Sequence, residues 1–298
     1  MYGALYDFVR DELNSPPPPP PAPSQFFLTD ILIAYMFTPS IVVCKNTAEM
    51  DAAALQVIQD VAKSRPDKAS MALSGGSSPR SLYTQFLEKH RDLATSRFVY
   101  LVGDDRLVPF ESDDSNYKMA HEALLHAVPP SHVIKMDPSP AVQSAHDPVE
   151  GEKGARIVAK QFAAALEKQI GFSSVDVGGR TMQLPVLDLV LLGFGSDGHT
   201  ASIFPDSIAA TDDEPVTSVS FPSPTMNPKV WRVTLSRFVI QNARHVLVMA
   251  AGKPKKWVVD GVVSSSATEA PTARFLRECK GKVTFIVDED AKPSQSHC

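Results

Sequence analysis

The residues most capable of chemistry lie close together in the run Gly193-Phe-Gly-Ser-Asp-Gly-His-Thr-Ala-Ser-Ile-Phe-Pro205. Asp197, His199, Thr200 and Ser202 follow the apolar stretch 187–192, which reads as a buried strand ending in a glycine-rich turn. Histidine titrates near neutral pH and can take up and return a proton there. Placed on such a turn, His199 is the strongest candidate for a general base, and Asp197 can orient its ring or bind a substrate hydroxyl. The same glycines, Gly193, Gly195 and Gly198, spell G-x-G-x-x-G, the pattern of a dinucleotide site. Pro205, Asp206, Asp212, Asp213 and Pro215 leave no room for the long helix that such a site requires, so no cofactor is expected.

Two further clusters follow predicted strands. Ser74-Gly-Gly-Ser-Ser-Pro79 follows the apolar residues Met71-Ala-Leu73. Gly75 and Gly76 let backbone amides approach an anion, Ser74 and Ser77 offer hydroxyls, and a helix opening here adds its partial positive charge. Ser78 is expected as the helix cap and Pro79 as its first residue. Alone, this motif also fits an ordinary capped turn. Gly103-Asp-Asp-Arg106 closes another strand and, alone, fits a solvated turn.

What elements must position these groups? From residue 40 onward short apolar runs alternate with helical patterns, which predicts βαβ units and a doubly wound, mostly parallel α/β sheet flanked by helices, Rossmann-like in character. Strands are expected at residues 41–44, 70–73, 98–102, 132–135, 187–192, 231–235, 245–250 and 283–287. Helices are expected near 48–63, 79–90, 115–127, 149–170, 255–263 and 272–278. Residues 171–184, with Gly178-Gly179-Arg180, read as a mobile surface loop.

The domain organisation is expected to be an extension over 1–39, an α/β domain over 40–292 and a short tail over 293–298. Pro16–Pro21 and Pro23 predict a polyproline spacer or disordered linker, and the extension as a whole is expected to be disordered or loosely packed. The apolar stretch 26–37 is broken by Asp30, is followed by Pro39 and lacks basic flanks, so a membrane anchor is not expected. An acidic start (Asp7, Asp11, Glu12) argues against a signal peptide, and the cytoplasm is the default location. The tail Ser296-His-Cys298 echoes a peroxisomal signal only poorly. Cys44, Cys279 and Cys298 form no metal spacing and no even disulfide set, so neither a metal nor an oxidising compartment is expected. A net charge of −5 disfavours broad nucleic-acid binding. It also means that any anionic ligand needs local positive charge to offset the overall field.

Taken together, the motifs resemble the superfamily of 6-phosphogluconolactonases and glucosamine-6-phosphate deaminases. The signature is the Gly193–Pro205 run, with Ala72–Pro79 similar to the phosphate loop and Gly103-Asp-Asp-Arg-Leu-Val-Pro109 with Ser115-Asn-Tyr117 similar to a second segment. Arg232-Val-Thr-Leu235 and Gly252-Lys-Pro-Lys255 resemble two late basic motifs, in the family's order across about residues 40–290. The resemblance implies a sugar-phosphate substrate, with Ser74, Gly75, Gly76, Ser77, Arg232 and Lys255 on the phosphate. His199, Asp197 and Arg106 would then serve the reacting end, Arg106 by polarising a lactone carbonyl. Neighbouring Lys253 and Lys256 compete with Lys255 for the phosphate role. Asp105 stands where the family more usually has glutamate, which weakens any role for it. The implied reaction is hydrolysis of 6-phospho-D-glucono-1,5-lactone. A glucosamine-6-phosphate isomerase/deaminase is the nearest alternative, but Thr200–Pro205 lacks that branch's additional carboxylate. A non-catalytic sugar-phosphate sensor is the third. The oligomeric state is left open.

Overall fold

The computed structural model describes residues 38–222, 226–263 and 275–294. The expectations for the polyproline run, the apolar stretch 26–37 and the last four residues fall outside these. Among the described residues no helix is long and apolar enough to cross a membrane.

Seven strands make one sheet: β1 (Ser40–Cys44), β2 (Ala69–Leu73), β3 (Phe98–Val102), β5 (Val133–Ile134), β8 (Leu189–Leu192), β11 (His245–Ala250) and β12 (Lys282–Asp288). Their order across the sheet is β1-β12-β11-β8-β2-β3-β5, and every neighbouring pair is parallel. The central strands are continuous apolar runs, with all of Leu189, Val190, Leu191 and Leu192 buried, as a sheet covered on both faces requires. Three long helices are α1 (Thr47–Ser64), α2 (Ser77–Lys89) and α5 (Glu150–Ile170). Between α2 and α5 lie α3 (Arg91–Ser96) and α4 (Asn116–Ala123); later come the short α6 (Ile208–Thr211) and α7 (Arg237–Gln241), and then α8 (Lys253–Val263). Asn46 caps α1 by accepting from the Glu49 N–H at 3.0 Å.

The order of strands decides where a ligand can sit. From β2 the chain winds outward through β3 to β5, then returns to lay β8 on the other side of β2 and winds the opposite way through β11 and β12. The reversal falls between β2 and β8, and in open α/β sheets the crevice beyond the carboxyl ends at such a reversal is the ligand site. Met71 pairs with Leu189 and Ala72 with Val190, so the two strands end side by side. The serine–glycine turn follows β2 and the histidine turn follows β8.

Several sequence expectations need correction. The predicted strand at 231–235 is β10 (Arg232–Leu235), but it belongs to a separate antiparallel sheet of order β4-β10-β9, with β4 at Asp104–Arg106 and β9 at Thr217–Ser220. Gly103 joins the two sheets: its N–H donates to Leu73 O at 2.8 Å and its carbonyl accepts from the Leu235 N–H at 2.8 Å. The expected loop 171–184 is instead a hairpin of β6 (Ser173–Val177) and β7 (Arg180–Leu184). Gly178 and Gly179 both have positive φ, 59° and 81°, the geometry of a two-residue hairpin turn. Helix α2 begins at Ser77 behind a Gly76 cap with φ 104°, so Ser78 lies inside the first turn and Pro79 is its third residue. Glycine turns the chain two residues sooner than the expected serine cap would. Of the helix expected at 272–278, residues 275–277 are helical and the part before them lies outside the described residues.

A buried histidine gives the fold a pH dependence. His245 opens β11, with Nε2 2.9 Å from Thr284 Oγ1, and burial with Lys282 nearby lowers its pKa to about 4. The folded state thus binds fewer protons than the unfolded chain between pH 4 and about 6.5. The contribution is full above the unfolded value and is lost as pH falls, by roughly 3 kcal/mol in total. Urea unfolding midpoints should decline from pH 6.5 to 4, and His245→Gln should flatten part of that slope. An unchanged slope in the variant would refute the assignment.

Candidate active site

The crevice at the β2–β8 reversal holds a cavity of about 320 Å³. Its walls include Ser74, Gly75 and Gly76 from the end of β2, His199 from the turn after β8, Asp104 and Arg106 from β4, Arg232 from β10, and Lys255 from α8. Seven of the nine sequence-selected positions therefore meet in one place: Ser74, Gly75, Gly76, Arg106, His199, Arg232 and Lys255. The expected phosphate contact Ser77 is the first residue of α2. Asp197 stands behind the histidine rather than on the wall.

The histidine turn is built to fix one imidazole. Asp197 Oδ1 lies 2.5 Å from His199 Nδ1 and also accepts the His199 backbone N–H at 3.2 Å. This contact places a proton on Nδ1 and leaves Nε2 as the basic nitrogen. Gly195 N–H donates to the His199 carbonyl at 2.7 Å, closing the loop. The Trp257 indole N–H donates to Ser196 O at 3.3 Å and ties the loop to α8. On its other side the imidazole packs against Phe204, ring centroids 4.5 Å apart. Burial lowers the His199 pKa below its ordinary value, opposed by Asp197 and by Asp104, so the ring is held neutral in near-neutral solution.

Thr200 and Ser202 do not join this presentation. Both are fully buried; Thr200 Oγ1 donates to Gly193 O at 2.8 Å and Ser202 Oγ to Asp104 Oδ2 at 2.6 Å. They hold the turn to the sheets. After Gly198 the chain makes a bridge between Thr200 and Ile203 and then the single-turn α6, in place of the long helix of a dinucleotide fold.

The serine–glycine turn has the features of an anion cradle. Gly76 caps α2 without a side chain, so the first N–H groups of that helix lack an internal partner. Tyr83, buried in α2, clamps Ser74 through both backbone groups: its hydroxyl accepts the Ser74 N–H at 2.8 Å and donates to Ser74 O at 2.9 Å. The Ser74 contribution to a ligand is thereby limited to its hydroxyl. Gly75 must be glycine because a Cβ there would fall 2.0 Å from Asn116 Oδ1.

Arg106 and Arg232 face each other across the antiparallel β4–β10 pair. Like charges directly opposite in a sheet repel, and an anion between or beyond them relieves the cost. Arg232 is almost wholly buried, and burial together with Arg106 lowers its pKa to about 10. Its Nε, like that of Arg106, is buried without a hydrogen-bond partner. The Arg232 guanidinium lies 5.0 Å from the Phe204 ring centroid, so one aromatic ring supports both cation and imidazole. Of the three late lysines, Lys255 lines the cavity while Lys256 donates to Lys292 O. Gly252 N–H is held by both Asp288 oxygens at 3.0 and 2.9 Å, which fixes the start of the helix carrying Lys255.

Asp105 takes a structural part that the sequence left open. Its carboxylate accepts the N–H groups of Arg106, Asn116 and Tyr117 and the Ser115 hydroxyl, fastening the start of α4, while burial pushes its pKa up to about 6. The residue that sequence reasoning missed is its neighbour Asp104, buried at 5% exposure on the cavity wall. The only available signal was alternation: on β4, Asp104 and Arg106 share the face opposite Asp105. Among the described residues no group of three or more His, Cys, Asp or Glu is gathered to hold a metal ion.

The fit around the imidazole is close. A Cβ on Gly195 would fall 2.1 Å from His199 Nδ1 and 2.4 Å from Asp197 Oδ1. In Gly195→Ala the side chains should separate while the backbone stays folded. Proton NMR should then lose the far-downfield imidazole signal of the short Asp197–His199 bond, with circular dichroism unchanged. Persistence of that signal would contradict the packing described.

The model of the glucosamine-6-phosphate isomerase/6-phosphogluconolactonase family matches residues 45–285. The fold is similar to 6-phosphogluconolactonase from Leishmania guyanensis, 47% identical with a TM-score of 0.82, over 88% of this chain and 100% of that one. It is also similar to the enzyme from Trypanosoma cruzi, 41% identical with a TM-score of 0.80, over 86% and 96% of the two chains. A probable 6-phosphogluconolactonase from Schizosaccharomyces pombe is 28% identical over 225 residues, 74% of this chain and 81% of the relative. The chain belongs to the glucosamine-6-phosphate isomerase/6-phosphogluconolactonase family.

Proposed function

We propose that this chain hydrolyses 6-phospho-D-glucono-1,5-lactone to 6-phospho-D-gluconate, with His199 as general base. The observation that carries the reading is that an imidazole held neutral by burial and the anion cradle line the same cavity. The family match and the solved lactonases above 40% identity support the same substrate class.

In this reading the phosphate sits at the Ser74–Ser77 turn, neutralised by Arg232 and Lys255, with the lactone reaching toward His199. Water attacks C1 and gives its proton to Nε2, while Asp197 holds the opposite nitrogen and stabilises the imidazolium. The carbonyl oxygen becomes an oxyanion, and Arg106 stabilises that charge, a contribution of a few kcal/mol in preorganised sites. Collapse restores the carbonyl, breaks the bond from C1 to the ring oxygen and returns the proton to that oxygen. The product acid then ionises, so each turnover releases one proton. The deaminase alternative predicts ammonia from glucosamine 6-phosphate; none should be released.

A lowered His199 pKa keeps the base form present until the pH falls below the usual histidine range. The acid limb of kcat/KM should therefore lie below about pH 6.5. A limb at or above that value would contradict the buried neutral base. His199→Asn should reduce lactone hydrolysis by about 10²–10⁴-fold with 6-phosphogluconate binding nearly intact. Near-normal turnover in that variant would refute the role.

The two arginines separate by kinetics. Arg232→Ala should chiefly raise KM, because it strands the phosphate charge, whereas Arg106→Ala should chiefly lower kcat. The opposite pattern, in stopped measurements corrected for spontaneous lactone opening, would exchange the two roles.

A further inference from the structure

Asp104 is an anomaly in a cavity otherwise suited to anions. It is buried at 5% exposure, and its carboxylate accepts one hydrogen bond, from Ser202 Oγ at 2.6 Å. Among the described residues no lysine or arginine lies within ion-pairing distance of it. Burying a carboxylate with so few partners is costly. Its position explains what would lower that cost. Asp104 lies on the cavity wall on the same strand as Arg106, and it acts electrostatically on His199 and Arg232.

We infer that Asp104 is a specificity-determining residue that accepts hydroxyl hydrogen bonds from the lactone ring and repels the carboxylate of the opened product. This rests on the proposed lactone hydrolysis. The reaction converts a neutral ester end into an anion while leaving the phosphate unchanged. A wall of Arg106, Arg232, Lys255 and a helix N-terminus alone would therefore hold the product more tightly than the substrate. One fixed carboxylate beside the reacting end opposes that, because a sugar hydroxyl can donate to it and a second carboxylate cannot. Ser202 holds the carboxylate through Oδ2, which leaves Oδ1 for a ligand.

The test compares Asp104→Asn with the wild-type protein, since the asparagine carbonyl can still accept from Ser202. For the variant, kcat/KM on the lactone should fall at least about tenfold, while the inhibition constant of 6-phosphogluconate should become several-fold tighter. A merely structural role would weaken lactone and product together; parallel loss, or no change in either, overturns the inference. A second measurement needs no variant. Wild-type protein should bind glucitol 6-phosphate, which carries a neutral alcohol at C1, more tightly than 6-phosphogluconate. Preference for the carboxylate overturns the inference. Wild-type protein inert toward the lactone would instead overturn the proposed reaction on which it rests.

Discussion

The parallel ladder between β2 and β8 is the constraint on which the site depends. It sets Met71 beside Leu189 and Ala72 beside Val190, two strands far apart in sequence. Because all side chains of both strands are buried or nearly so, a slip of register would expose apolar surface and bury nothing in return. The turns at their carboxyl ends consequently have one relative position. One turn opens a helix whose N-terminus favours an anion, and the other carries a histidine on a carboxylate. The geometry of the cavity follows from sheet packing rather than from the loops alone.

Electrostatics in the cavity work against the protein's overall charge. With a net charge of −5, the chain as a whole repels a sugar phosphate. The cavity compensates by setting Arg106 and Arg232 opposite each other and adding Lys255. Each of these groups is partly desolvated, which makes it a stronger receptor and a less comfortable neighbour in the empty site. Phe204 supports the Arg232 guanidinium and the His199 ring together, so the two groups share one aromatic support.

Much of this could be read from residue types. The strands of the parallel sheet are apolar runs bounded by turn residues, and the long helices carry plain amphipathic patterns. His199 and the serine–glycine turn were legible because glycine spacing and strand ends pointed to one edge of the sheet, whereas Arg106 and Arg232 were picked out by the resemblance of their motifs to the family's. The second sheet was not: β4 is three residues of Asp-Asp-Arg, whose strand character comes from pairing with β10 rather than from propensity. The hairpin of β6 and β7 was mistaken for a loop because its strands are polar and its Gly178-Gly179 turn also fits an unstructured segment. Asp104 was overlooked because charge in a short polar run reads as solvated. Only tertiary pairing turns that side chain into the cavity and sends Asp105 to fasten α4.

The account's central claim is spatial and chemical at once: the phosphate and the basic nitrogen engage opposite ends of one sugar. A crystal structure with 6-phosphogluconate bound tests it most directly. The account predicts phosphate oxygens on the Ser74–Ser77 turn and C1 oxygens within hydrogen-bond reach of His199 Nε2, about 3 Å. A ligand with its phosphate elsewhere, or with C1 directed away from the imidazole, would contradict it.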